Sequence, residues 1–253
     1  MKLFFPLFFL LLLTACAKPP KPVWTELPSS EELVQRLTST TGQAFSLDGA
    51  ATVGLTVNGK HFSSQQFLLV QKPDRLRADV LTGFGQLILQ LSSNGKELSV
   101  FTNTTVPGHF YRGPATAENI SRFTRIPLAT RSMVHLLLYD PPLIDYQQST
   151  VSTDENGLLL RLENRQLQQE LLFDNQLQLV GCRYFSGNEL MLEVLYQKFD
   201  QEEHFPRTVR LNLFTEKTRA TLKFSELRTN IEIAPERFQL KQPAHIPVEN
   251  LPR

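Results

Sequence analysis

Leu87-Ile-Leu-Gln-Leu-Ser-Ser-Asn-Gly-Lys-Glu-Leu-Ser-Val-Phe-Thr102 is the stretch that decides the fold. Leu87, Leu89 and Leu91 alternate with Gln86, Ile88 and Gln90, a period of two that suits a strand with one buried face. Asn94-Gly95 then supplies two residues that tolerate positive φ, as a two-residue hairpin turn demands. The return strand runs from Glu97 to Thr102. Immediately upstream, Leu76, Ala78 and Val80 alternate with Arg75, Arg77 and Asp79. Pro73-Asp74 makes a turn before them, and Gln66 to Gln71 reads as a further strand. Four antiparallel strands are therefore expected here.

The same alternation returns downstream. Leu158, Leu160 and Leu162 open it, and Asp174-Asn175 turns Glu170–Phe173 into Leu177–Tyr184. Leu190, Leu192, Val194 and Tyr196 follow, then Val209, Leu211 and Leu213. A turn at Glu216-Lys217 leads to Ala220, Leu222 and Phe224. Three helical signals interrupt the pattern. Ser29 and Glu32 have capping-box spacing ahead of Leu33, Val34 and Leu37. Thr116 can cap a helix carrying Ile120 and Phe123, and Pro127 begins another with Met133, Val134 and Leu137, stopped by Pro141-Pro142. The expected fold is mainly β: a curled antiparallel sheet of about ten or eleven strands. It forms an unclosed half-barrel, covered by about three short helices over an apolar cavity.

The N-terminus supplies an address. Lys2 precedes an apolar run from Leu3 to Leu13, then Leu13-Thr14-Ala15-Cys16. This order is that of a secretory signal, with an apolar run too short to cross a bilayer. The last four residues resemble the bacterial lipobox, which implies cleavage before Cys16 and acylation of its thiol. Ala17 stands where an Asp would favour inner-membrane retention, so the expected location is the periplasmic side of the outer membrane. The expected organisation is a signal peptide over 1–15, an acylated Cys and Pro-rich tether over 16–28, one domain over 29–245 and a tail over 246–253.

A net charge of +1 gives no nucleic-acid signal. Cys182, alone once Cys16 is acylated, reads as a small buried apolar residue. The five histidines lack ligand spacing, no nucleophile or phosphate-loop motif is present, and neither an enzyme nor a cofactor is expected.

Arg75-Leu76-Arg77 precedes Leu81-Thr82-Gly83-Phe84-Gly85, and Ile126-Pro127-Leu128 precedes Leu136-Leu137. Pro206-Arg-Thr-Val-Arg-Leu211 and Thr221-Leu-Lys-Phe224 close the chain. Together with the lipobox and the capped first helix, this order resembles the LolA/LolB superfamily of bacterial lipoprotein carriers, and within it the outer-membrane lipoprotein LolB. The chain departs from LolB in having Phe84 after Thr-Gly where that pattern has Leu after Asn-Pro, and in lacking its strand tryptophans.

The resemblance implies a membrane-anchored monomer. It would take the acyl chains of lipoproteins from a soluble periplasmic LolA-like carrier and insert them at the outer membrane. The alternative is an anchored envelope protein that binds lipid or a partner without transporting anything. Inward positions supplied by the alternation are the cavity candidates: Leu76, Val80, Leu89, Val100, Leu160, Leu192, Val194, Leu211 and Leu222 on strands, Ile120, Phe123, Val134 and Leu137 on helices. For each, packing in the core is the competing reading. Phe84, between two glycines, either folds back on the sheet edge or stands out as a membrane-insertion finger, the role that the resemblance implies. Arg75, Arg77 and Arg112 are candidate docking charges, or simply solvated strand-edge charges.

Overall fold

A computed structural model describes residues 24, 26–154, 157–200, 202 and 204–253. Cys16, the signal segment and the Lys18–Pro22 tether lie outside the described residues.

Among the described residues, fourteen strands form one sheet. Helix α1, Ser30–Thr40, leads into β1 (Ser46–Val57), β2 (Lys60–Gln71), β3 (Arg75–Leu81), β4 (Leu87–Ser93), β5 (Glu97–Thr102) and β6 (His109–Pro114). Helices α2 (Ala117–Thr124) and α3 (Thr130–Leu137) follow. Then come β7 (Gln148–Asp154), β8 (Gly157–Glu163), β9 (Leu167–Asp174), β10 (Leu179–Ser186), β11 (Glu189–Phe199), β12 (Pro206–Leu213) and β13 (Thr218–Thr229). A 3-10 turn, Pro235–Phe238, and β14 (Val248–Asn250) end the chain.

The spatial order is β14-β6-β5-β4-β3-β2-β1-β13-β12-β11-β10-β9-β8-β7. Two runs of hairpins are thus joined by the antiparallel pairing of β1 with β13, while β14 and β7 remain separate edges. The sheet is the unclosed half-barrel expected.

It holds more strands than the ten or eleven expected. The additional ones lack a strong apolar alternation. In β1 the small residues Gly49, Ala51 and Gly54 dilute it, β6 is short and carries Gly113 and Pro114, and β7 has Val151 among polar residues. β14 lies in the expected tail, where residues 248–250 pair in parallel with β6 and Leu251 is buried. Helix α3 begins at Thr130 rather than Pro127, because the chain stays extended until Ala129.

One face of the sheet holds the core. Leu47, Ala51 and Val53 on β1 share one core with Leu68 and Val70 on β2 and Leu98 and Val100 on β5. Leu158, Leu160 and Leu162 on β8 continue this core into the second half. Leu33 and Leu37, one turn apart on α1, pack into it, and the Ser29–Glu32 capping box closes reciprocally at 3.2 and 2.7 Å. On the other face of the second half, directly opposed residues form a polar ladder. Arg161 and Arg183 flank Glu170, and Arg183 donates to Glu193 at 2.9 Å. On the other face of the first half, Leu69 is covered by Ile233 and Phe238 of the segment after β13.

Candidate functional site

Because neighbouring strands are antiparallel, their connections alternate between two ends. The β1–β2, β3–β4, β5–β6 and β12–β13 turns share one end, here the open end. The other end is closed by α3. Thr130 Oγ1 lies 3.5 Å from Ser93 Oγ, and Asp140, just beyond α3, accepts from Lys72 Nζ at 2.6 Å. Tyr139 and Tyr196 donate to the carbonyls of Leu179 and Leu136 at 2.8 and 3.2 Å. Burial holds both hydroxyls protonated, with pKa values raised well above the usual tyrosine range.

Between β1–β5, β12, β13, α2 and α3 lies a cavity of about 400 Å³. This is within the roughly 300–1,000 Å³ common for small-molecule sites. Val53, Leu55, Leu68, Ala78, Leu91, Ala220 and Met133 contribute to its apolar wall. Its polar lining residues are Ser63, Ser64, Gln66, Thr102, Thr104 and Thr124, and none of its lining residues is charged. Gln66 donates to Ser64 Oγ at 3.1 Å, and Thr124 donates to the Ile120 carbonyl at 3.0 Å, so part of this polarity is internally satisfied. Phe62, on the wall, is 56% exposed, which marks the mouth at the open end.

The residues anticipated as cavity candidates divide into two groups. Leu76, Val80, Leu89, Phe123, Leu137, Leu211 and Leu222 line the cavity. Val100, Ile120, Val134, Leu160, Leu192 and Val194 lie in the packed core away from it. The reason is geometric: alternation tells inward from outward, but not whether the space inward is filled. In the second half, the paired leucines of β8 and β9 fill it.

Phe84 does not fold back. It is fully exposed, at 102% of its reference area, in the β3–β4 turn, and Gly85 beside it adopts φ +78°. Val106 in the β5–β6 loop is equally bare at 100%. Both loops lie at the end of the sheet where Phe62 marks the mouth, and Thr104 of the β5–β6 loop lines the cavity. Val106 carried no sequence signal, since its loop contains neither alternation nor a hairpin turn motif.

Cys182 is fully buried, and burial pushes its thiol up to about 12. Arg77 is committed to Asp79 at 3.0 Å and to the Arg237 carbonyl at 3.1 Å, and Arg112 approaches Glu97 at 3.5 Å. Arg75 donates to Gln71 Oε1 at 3.1 Å. These three arginines therefore serve internal contacts. Among the described residues, no cluster of histidine, cysteine, aspartate and glutamate is gathered to hold a metal. No described helix is long and apolar enough to cross a membrane.

No protein-family model matches the chain, and no curated protein matches it by sequence. Solved structures do match its shape. A DUF1329 family protein from Desulfovibrio piger has a TM-score of 0.53 at 12% identity, with 83% of this chain and 95% of that chain covered. A putative outer membrane lipoprotein-sorting protein domain from Vibrio parahaemolyticus has a TM-score of 0.53 at 11% identity, covering 83% and 97%. A LolA superfamily protein from Nitrosomonas europaea has a TM-score of 0.52 at 9% identity, covering 85% and 99%. The chain therefore has the open, helix-lidded half-barrel fold of lipoprotein-sorting and LolA-like proteins. At such identities the likeness fixes architecture and leaves function to the site.

Proposed function

We propose that this protein is an acyl-chain carrier that receives lipoproteins and inserts them at the outer membrane, in the manner of LolB. The observation that carries the reading is an uncharged apolar cavity whose mouth opens beside two fully exposed apolar residues, Phe84 and Val106. Hiding acyl chains from water requires no catalysis. Each buried CH₂ contributes about 0.8 kcal/mol, and a preformed apolar pocket supplies that burial. Release requires only a membrane beside the mouth, and two apolar loop tips there could enter one. Acylation at Cys16 would hold the mouth close to the receiving leaflet. The names of two structural neighbours, a lipoprotein-sorting domain and a LolA superfamily protein, agree with this reading.

Depletion in the source cell, followed by membrane fractionation, tests it. Lipoproteins should accumulate in the inner membrane and periplasm. Unchanged lipoprotein distribution would contradict insertion. A second reading, lipid binding in the envelope without transport, is favoured by the modest size of the cavity.

A further inference from the structure

Beside the cavity mouth lies a second depression that shares Leu55 and Phe62 with it. It adds Val57, Asn58, Lys60 and Arg125. The register explains the arrangement. Leu55 opposes Phe62 and Val57 opposes Lys60 across the β1–β2 hairpin. A period of two then puts Lys60 on the same face as Phe62, toward the cavity side. Arg125 approaches from the other wall, where it caps α2 in the left-handed conformation at φ 62°.

The charge pattern is one-sided. Among the described residues, the cavity lining contains no charged residue, and the only charged residues lining the depression are these two cations. Both are exposed, and neither side chain forms an ion pair or hydrogen bond among the described residues. An apolar cavity whose mouth carries two unpaired cations complements an amphiphile with an apolar tail and an anionic head. The cavity's volume of about 400 Å³ lies in the range of small-molecule sites, so it has room for an apolar tail.

We infer that the site takes an acyl chain carrying an anionic headgroup, a carboxylate or a phosphate, with the tail in the cavity and the headgroup between Lys60 and Arg125. This rests on the reading of the cavity as an acyl-chain site and narrows its substrate class. The cargo would then be a free fatty acid or a lysophospholipid, since the ester- and amide-linked chains of a lipoprotein carry neither headgroup.

The test uses the full chain in zwitterionic nanodiscs and three photoactivatable single-chain amphiphiles of equal length. One carries a carboxylate, one a phosphate monoester and one an uncharged amide head. After irradiation, labelled peptides are mapped by mass spectrometry. The carboxylate or phosphate probe should label cavity segments about fivefold more than the amide probe, the scale of exposed charge pairing. Lys60→Glu/Arg125→Glu should abolish that preference, while labelling by the amide probe stays constant and reports an intact cavity. Lys60→Arg should retain it. The stronger of the two anionic probes identifies the headgroup class. Equal labelling by all three probes, or a preference that survives the double variant, overturns the headgroup assignment and leaves the cavity reading standing. Absence of cavity labelling by any probe overturns both.

Discussion

Phe84 stands where nothing covers it, in a turn where a Cβ added at Gly83 or Gly85 would meet nothing within 4 Å. A side chain there contributes nothing to the core, so its replacement separates delivery from folding. Burying a phenylalanine contributes about 1.5–3 kcal/mol. Phe84→Glu should therefore slow transfer of acylated cargo into vesicles by about tenfold or more, with the unfolding midpoint and cargo binding unchanged. Equal transfer rates would remove Phe84 from the mechanism. Asp140 is the opposite kind of residue. It accepts from Lys72 at 2.6 Å, lies 2.9 Å from His135 Nδ1, and leaves so little room that a side chain at Gly42 would meet it at 2.9 Å. Asp140→Asn should cost roughly 1.5–3 kcal/mol in urea denaturation, the scale of hydrogen bonds to charged groups. The exposed position of Phe84 was open in the sequence, where both a folded-back and a protruding side chain fitted Gly-Phe-Gly. Asp140 gave no signal: Lys72 and Gly42 lie far away in the chain, and His135, five residues before it, forms no recognisable motif with it.

Elements with strong apolar alternation were legible. Strands β3, β4 and β5 stand where their residues placed them, as do the capped helices α1 and α2. The hairpin between β4 and β5 forms as expected but turns at Gly95-Lys96, one residue on, because the Asn94 N–H donates to the Glu97 carbonyl at 3.2 Å and only Gly95 takes positive φ. Strands β1, β6 and β7 escaped for a shared physical reason: their pairing is specified by neighbours rather than by their own apolar pattern. Strand β14 is the extreme case. It is three residues long, and its place depends on Leu251 seating against Gly113, where a Cβ would come within 2.6 Å of the Leu251 Cβ. The Leu251 backbone N–H donates to the Arg112 carbonyl at 2.8 Å, and Asn119 donates to the Pro252 carbonyl at 2.9 Å. The C-terminus thus ties the sheet edge to α2, one wall of the cavity. Leu251→Ala should cost about 2 kcal/mol, at the lower end for a buried leucine, and should expose the β6 edge to association. Denaturant titration and light scattering read the two effects.

At the scale of the whole molecule, one sheet does two jobs. Across β8 and β9 it is packed solid, with Leu158, Leu160, Leu162 and Leu171 fully buried. Over β1–β5, β12 and β13 it leaves a space between the strands and the two lid helices. Both halves have the same inward alternation in the sequence, so the split between core and cavity was not legible there. It depends on how far α2 and α3 stand from the strands, which is a packing outcome. Ala78 sits on the cavity wall and is only partly buried. A larger side chain there fills empty space rather than displacing packed neighbours, and so spares the fold.

The most direct measurement is the stoichiometric binding of a fluorescent fatty-acyl probe by the full chain in zwitterionic nanodiscs, compared between the wild type and Ala78→Trp. The account predicts saturable binding near one probe per chain, weakened about tenfold or more by Ala78→Trp, the loss that about 1.4 kcal/mol gives. The thermal midpoint should stay within about 4 °C, as expected for a change of up to about 1 kcal/mol in a domain of this size. Probe binding that is absent in the wild type, or equal in the two proteins, would contradict an acyl-chain site in this cavity.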